Sequence, residues 1–306
     1  MSEPVTQDLD TKFMVDPYLN WVKAEGALIH SGAALDLLKL EVQNWPRFGM
    51  KGAVCHVDGR CDFLTAFLFV LDAGQSSAPT RHTYEEAFYV LDGDGETDVT
   101  LSDGHQFTIS WNTQKLFALP INATARHRAG GKGARLVALS DFRYLMGLYR
   151  NEAFLFANSA PLHGRQKRAV EAGLVVDPLV SLNMTDEASP LLLADMSVGV
   201  DLMELKANAS TQARRQMQGC HLLGVVGEGT TASFTQPGED MKHTPWRHGI
   251  LTGLQGMHFH RHKNENQAPA RFITVQLGSL ASPMFRSRRA HFGDETVYAS
   301  GAAILD

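Results

Sequence analysis

The stretch "SSAPTRHTYEEAFYVLDGDGE", residues 76 to 96, sets a histidine and two glutamates ahead of an aromatic-rich run. Side chains along a strand alternate between faces. Taken as one strand, "RHTYEEAFYVL" puts His82, Tyr84 and Glu86 on one face and Glu85 on the other. An imidazole and a carboxylate two pleats apart on one wall suit a shared cation, and the Tyr84 ring would line the same pocket. The bland alternative is a hydrogen-bonded His–Glu pair. A second concentration lies at His258, His260 and His262, within thirteen histidines in all. Three alternate residues on one strand span ~13 Å at about 3.3 Å per residue, too far for one ion without a ligand from another strand.

Short β-type runs must position these residues. From about 48 to 143 they are "DFLTAFLFVLDAG", "EEAFYVLDGDG", "ETDVTLSDG", "HQFTIS", "QKLFALP" and "ARLVALS". The "DGDG" reads as a hairpin turn, and "GGKG" at 130–133 as another hairpin loop rather than a phosphate loop. From about 191 the rhythm returns in "VGVDLMELKA", "CHLLGVVGEG", "TASFTQPG", "MHFHRHKN" and "ARFITVQLGS". "YVLDGDGETDVTL" matches "GVVGEGTTASFTQ" in plan, and "ATARHRAGGKGARLVALSD" matches "MHFHRHKNENQAPARFITVQLGS", so the two halves repeat. The expected architecture is all-β. Its parts are an N-terminal extension over 1–47 with a short amphipathic helix, a β domain over 48–145, a partly helical connector over 146–190, and a second β domain over 191–306.

Composition narrows the function. The apolar fraction is 44%, the charged fraction 20% and the formal net charge −5, with no basic surplus for a phosphate backbone. Nucleic acid is therefore not an expected partner. No apolar run approaches the ~20 residues of a membrane helix, and "MSEPVTQDLDTKF" has neither the basic start nor the apolar core of a secretory signal. Cys55, Cys61 and Cys220 are an odd number without metal-type pairing, which fits a reducing cytoplasm, and Cys55 and Cys61 read as buried thiols. "RSRR" at 286–289 reads as a solvated basic patch.

At these residues the chain resembles the cupin superfamily, and within it two-barrel (bicupin) proteins, over most of residues 48 to 285. The first cupin motif is met by Gly74, His82, Glu86 and Gly93, with Thr80 in place of the first histidine. His127 in "NATARHRAGG" is the best match to the second-motif histidine, although Pro120 stands further ahead than usual. "QNWPRFGMKGAVCHVDG", "APTRHTYEEAFYVLDGDG" and "NEAFLFAN" look like a bicupin subgroup labelled ethanolamine ammonia-lyase-activating-like proteins. In the second half His260, His262 and Asn264 fall on that subgroup's H-x-H-x-N strand. Its first motif has decayed, with Asn208, Arg214, Gln216 and Cys220 standing at the glycine, two histidine and glutamate positions before Gly227, so the resemblance leaves only Cys220 or its neighbour His221 as a further ligand for a second-domain ion.

The resemblance implies two tandem cupin barrels (double-stranded β-helix, or jelly-roll) and a homo-oligomer. It also implies a divalent ion (Fe, Mn, Zn or Ni) in the first domain on His82, Glu86 and His127, with Thr80 and Tyr84 lining the pocket. In the second domain it leaves a pocket of Arg214, Gln216, Cys220, His260 and His262, suited to an anion on Arg214 and His260. The implied function is a metal-dependent, dioxygenase-like oxidoreductase acting on a small organic acid or aromatic. A non-catalytic small-molecule binder with degenerate sites is the alternative. A third reading is isomerase or lyase chemistry in a metal-free barrel, with a His–carboxylate pair as acid and base.

Overall fold

The computed structural model describes residues 16–58, 63–156, 162–179, 189–191, 193–216, 219–236, 241–277 and 302–305, and the side chains of 189, 190, 216 and 302–305 are not described. Cys61 and the "RSRR" stretch lie outside these residues. Helix α1 (Pro17–Ala24) starts where sequence physics expects it: the Asp16 carboxylate accepts from the N–H groups of Tyr18 and Leu19, and Pro17 opens the first turn. Tyr18, Trp21 and Val22 then form one buried stripe.

The segment that follows is stitched into both halves. Ile29–Gly32 runs parallel to Met50–Val57, whereas Ala34–Asp36 pairs antiparallel with Ile250–Leu254 of the second half. Gln43–Trp45 folds back onto Met50–Val57.

The first half is one ten-stranded sheet, curled so that two long strands serve both of its walls. Those strands are Glu86–Thr100 and Thr124–Ser140, paired antiparallel along nearly their whole length. Here the sequence reading needs correcting. Neither "DGDG" nor "GGKG" closes a hairpin; both sit inside continuous strands. Gly93 adopts φ +88°, and a Cβ there would meet the Gly133 carbonyl oxygen at 2.1 Å. The glycines thus serve a β-bulge, with register shifts at Ala129/Ala134 and Arg135/Leu136. The second half has the same plan with its long strands broken. Its six-stranded sheet contains Val198–Leu205, Ala270–Leu277, Cys220–Val226 and Ile250–Leu254. Its five-stranded sheet contains Lys242–Arg247, Glu228–Phe234, Phe259–Lys263, Ala213–Gln216 and Ala302–Leu305.

Parity separates the cores. Phe67, Phe69, Phe88, Val90, Trp111 and Phe117 fill the first barrel. Their alternates Leu68, Ala87, Tyr89, Leu91, Val137 and Leu139 meet Leu223, Val225, Leu251, Ile273 and Val275 in a seam between the barrels. A strand buried on both faces reads as a near-continuous apolar run, and "AFYVL" is one. Polar ties cross the seam as well: His248 sets one ring nitrogen 3.0 Å from the Leu91 carbonyl and the other 3.1 Å from the Val225 carbonyl. Three helices follow the first barrel, α2 (Phe142–Tyr149), α3 (Glu152–Phe156) and α4 (His163–Ala172). Among the described residues no helix is long and apolar enough to cross a membrane.

Candidate functional site

His82 and Glu86 do meet, with Nε2 3.2 Å from Oε2 and both side chains buried. The route differs from the expected one. Residues 82–85 are not strand but a bend after the two-residue strand Thr80–Arg81. Their backbone groups are claimed by other elements rather than by a ladder. The Asn122 N–H donates to the His82 carbonyl, the Thr83 N–H to the Leu155 carbonyl, and the Glu85 N–H to Asp141 Oδ1. Glu85 points away from Glu86, as expected, although no strand sets its direction. It takes Arg165 on one oxygen and the N–H groups of Ser197 (2.5 Å) and Val198 (2.9 Å) on the other. Adjacent glutamates thus serve different ends: Glu86 faces the barrel and Glu85 anchors the second half.

The pair has an uncommon polarity. His82 Nδ1 lies 2.9 Å from the Tyr84 carbonyl, which can only accept, so Nδ1 carries a proton. In a neutral ring Nε2 then presents a lone pair to a carboxylate oxygen. Two acceptors face each other, and a second proton or a cation must sit between them. Glu86 Oε1 is buried with no hydrogen-bond partner among the described residues. The Tyr84 ring stacks on His82 at 3.7 Å between centroids, with its buried hydroxyl likewise unpartnered. Burial, with the charge of Glu86 second, pushes that phenol well above its ordinary range.

His127 enters from Thr124–Ser140, fully inside the barrel against Phe88. Its Nδ1 is hydrogen-bonded to Thr97 Oγ1 at 2.8 Å, and that hydroxyl oxygen accepts from Trp111 Nε1 at 2.8 Å. Its backbone N–H is bonded to Ser77 Oγ. Burial, and secondarily the neighbouring charge of His82, lower its pKa to about 4. The ring is therefore neutral at physiological pH, the form that ligates metals.

These donors fit a first-row divalent ion in chemistry. Both imidazoles have Nδ1 fixed by a partner and Nε2 left over, the arrangement that orients metal-ligating histidines, and Glu86 has an unused oxygen. In position the fit is incomplete: among the described residues no group of three His, Cys, Asp or Glu side chains is gathered to hold an ion. Thr80 pairs in register with Ala125 and brings no imidazole.

An aromatic plug covers this end of the barrel. Trp21 of α1 stacks on Phe156 of α3 at 5.7 Å, and both Phe156 and Phe142 pack edge-on to Tyr84. Arg47 pins the plug, bonded to Glu25 at 2.6 Å and to Glu152, with its guanidinium 4.5 Å from the Phe156 ring centre. The sequence reading missed Arg47, Trp21, Phe156, Thr97 and Trp111. A signal existed for two of them, because Trp111 precedes His127 at the spacing by which Trp246 precedes His262, and Thr97 and Thr231 follow the matched glycines alike.

The second barrel copies the support without the site. His262 is the counterpart of His127, with Nδ1 2.8 Å from Thr231 Oγ1 and its N–H on Thr211 Oγ. Only His260 and His262 lie in the strand Phe259–Lys263; His258 falls in the bend before it, so the expected three-histidine face is two. His260 uses both nitrogens, toward Ser233 Oγ (2.9 Å) and the Gln255 carbonyl (2.8 Å). Arg214 pairs in register with His260. Burial, then the charges of His260 and Arg214, lower His262 to about 3. Cys220 is buried in the barrel core beside Leu222 and Trp246. His221 cannot join it as a ligand: the next residue along a strand faces the other way, and His221 responds to His56 across the seam. Asn264 donates to the carbonyls of Leu205, Lys206 and Ala268, a loop clamp rather than a ligand. The Gln216 side chain lies outside the described residues.

Two β barrels in tandem make a double-cupin fold. Solved structures agree. A deletion mutant of Bacillus subtilis oxalate decarboxylase aligns over 90% of each chain with a TM-score of 0.57 at 11% identity. An oxalate decarboxylase structure concerned with substrate binding mode and reaction specificity aligns over 87% of this chain and 85% of its own, with the same TM-score and identity. Another B. subtilis structure of that enzyme concerns its Mn(II) centres. At this identity the likeness shows the fold alone; the ethanolamine ammonia-lyase-activating subgroup is not confirmed by it. No family model matches the chain, and no curated protein does.

Proposed function

We propose that the chain is a metal-dependent bicupin enzyme acting on a small organic acid or aromatic, with the first barrel as its working half. The carrying observation is the His82–Glu86 contact, two acceptor atoms 3.2 Å apart that need positive charge between them. His82 Nε2, a Glu86 oxygen and His127 Nε2 would hold the ion, Thr80 leaving one position to water or substrate. A bound divalent ion supplies a Lewis acid and open positions for substrate or dioxygen. The protein's own part is to fix both imidazoles through Tyr84 and Thr97, to exclude water with the Trp21–Phe156 plug, and to offer the Tyr84 hydroxyl as a donor. The oxalate decarboxylase neighbours support a small organic acid as substrate and Mn(II) among the candidate ions. Dioxygenase-like oxidation and decarboxylation are separated by whether dioxygen is consumed or carbon dioxide released.

Metal analysis of the purified protein tests the proposal. About one ion per chain, lost in His82→Ala and Glu86→Ala and retained in His260→Ala, is the expected result. Metal stripped only by the His260 change would place the working half in the second barrel. No metal in any preparation would favour the second reading, a metal-free barrel in which a proton bridges His82 and Glu86. Such a barrel would serve as a small-molecule binder or an acid–base site, and Thr80 together with the ungathered ligand triad points that way.

A further inference from the structure

A cavity of about 370 Å³ opens on the other side of the 82–86 bend, between the first barrel and helices α2 and α4. Thr83 and Glu85, the alternates of His82 and Glu86, belong to its wall, so it is separate from the barrel interior. Asp141 lies in the wall, buried, with Oδ1 accepting the Glu85 N–H at 2.8 Å. Apart from that N–H and its own backbone N–H, it meets no donor among the described residues. The groups nearby that can carry positive charge are engaged elsewhere: His82 faces Glu86 on the barrel side, and the two arginines have carboxylates of their own. Arg165 is bonded to Glu85 and to the Asp195 carbonyl, with its Nε 3.8 Å from the Asp195 carboxylate. Arg143 is bonded to Asp16.

A buried carboxyl beside another carboxylate, lacking a cation of its own, is costly. Opposite the carboxyls, Tyr144, Tyr149 and Phe154 line the cavity beside the aliphatic Ile121, Leu145 and Leu162, and the rings of Tyr149 and Phe154 meet at 4.5 Å. Tyr149 is 49% and Phe154 37% exposed, open faces rather than core. Ring faces attract cations, most strongly where water is excluded. We infer that this cavity is a binding site for a small organic ammonium, its charged nitrogen on Asp141 and its hydrocarbon body against Tyr144, Tyr149 and Phe154. Burial, and then the charge of Glu85, raise the pKa of Asp141 to about 7, in keeping with a carboxyl that lacks a counter-ion.

The test is calorimetric titration of the full chain at pH 8 with benzylammonium, benzyl alcohol and benzoate, equal in size and different in charge. Benzylammonium should saturate, with the alcohol and benzoate at least tenfold weaker. Asp141→Asn should weaken benzylammonium at least tenfold. Tyr149→Ala, at a half-exposed ring, should weaken it several-fold, and His127→Ala inside the barrel should leave it unchanged. Alcohol binding as tightly as ammonium, benzoate binding tightest through Arg165, no benzylammonium binding, or loss of binding in His127→Ala would each overturn the assignment. Should Asp141→Asn fail to fold, the decision passes to Tyr149→Ala, where unchanged affinity overturns it.

Discussion

Asp141→Asn is expected to remove a pH dependence that the native protein carries between about pH 4 and 7. Asp141 opens α2 and is buried, and burial raises its carboxyl from 3.8 to about 7, with the charge of Glu85 second. Backbone N–H groups of Glu85 and of Asp141 itself, and the charge of His82, pull it down without cancelling the rise. With the folded value above the unfolded one, this group's stability is fully present below the ordinary carboxyl range. It is lost as pH rises through the folded value. About three pKa units at 1.36 kcal/mol each give about 4 kcal/mol. Asparagine does not ionise and keeps an acceptor oxygen for the Glu85 N–H. The stability of Asp141→Asn minus that of the native chain should therefore climb by about 4 kcal/mol between about pH 4 and 8. Titrations common to both proteins drop out of this difference. Urea unfolding across that range measures it, with equal slopes checking that both unfold alike. A difference flat to within about 1 kcal/mol would refute the reasoning, since Asp141 would then ionise as an ordinary carboxyl.

Thr97→Val should cost more than Thr231→Val. The first change strands two buried groups, His127 Nδ1 and Trp111 Nε1, and about 2–5 kcal/mol is expected. The second strands only His262 Nδ1, because Trp246 Nε1 already lacks a partner among the described residues, so about 1–3 kcal/mol is expected. Chemical denaturation decides, and equal losses would show that the Thr–Trp bond carries nothing. Glu85→Ala should destabilise by about 3–5 kcal/mol, because the buried carboxylate bonded by Arg165, Ser197 and Val198 disappears. A loss below about 1 kcal/mol would mean that Glu85 does not anchor the two halves.

The all-β plan, the duplication and the His82–Glu86 pair were legible because each rests on a local pattern. Alternation marks strands, and the paired G-x-G segments mark the repeat. Boundaries failed where glycine carries two meanings. "DGDG" and "GGKG" have turn composition, yet positive φ at Gly93 and Gly133 serves facing bulges in strands that run on. The 82–85 bend was illegible for a different reason. Its backbone is held by Asn122, Asp141 and Leu155, all far along the chain, and no local signal encodes a distant donor. The same holds for Arg47, whose role exists only because Glu25 and Glu152 converge on it.

The two halves show how a duplicated barrel can keep its frame while its chemistry diverges. Both retain the threonine behind the second-motif histidine and the glycine that lets a tryptophan approach: a Cβ on Gly95 would strike Trp111 at 2.4 Å, and one on Gly229 would strike Trp246 at 2.3 Å. These residues set the packing between facing strands, so losing them would cost fold. Glu86 and His82 carry no such duty. Their burial with mismatched acceptors costs free energy, and a half released from function should shed them. In the second half Cys220 takes the place that Glu86 has in the first, and a thiol fits an apolar core without a counter-charge. The first half keeps His82 and Glu86 together and carries the Glu86 oxygen that has no partner among the described residues. Retention of that cost in one barrel and its removal from the other is the physical argument for placing the working site in the first.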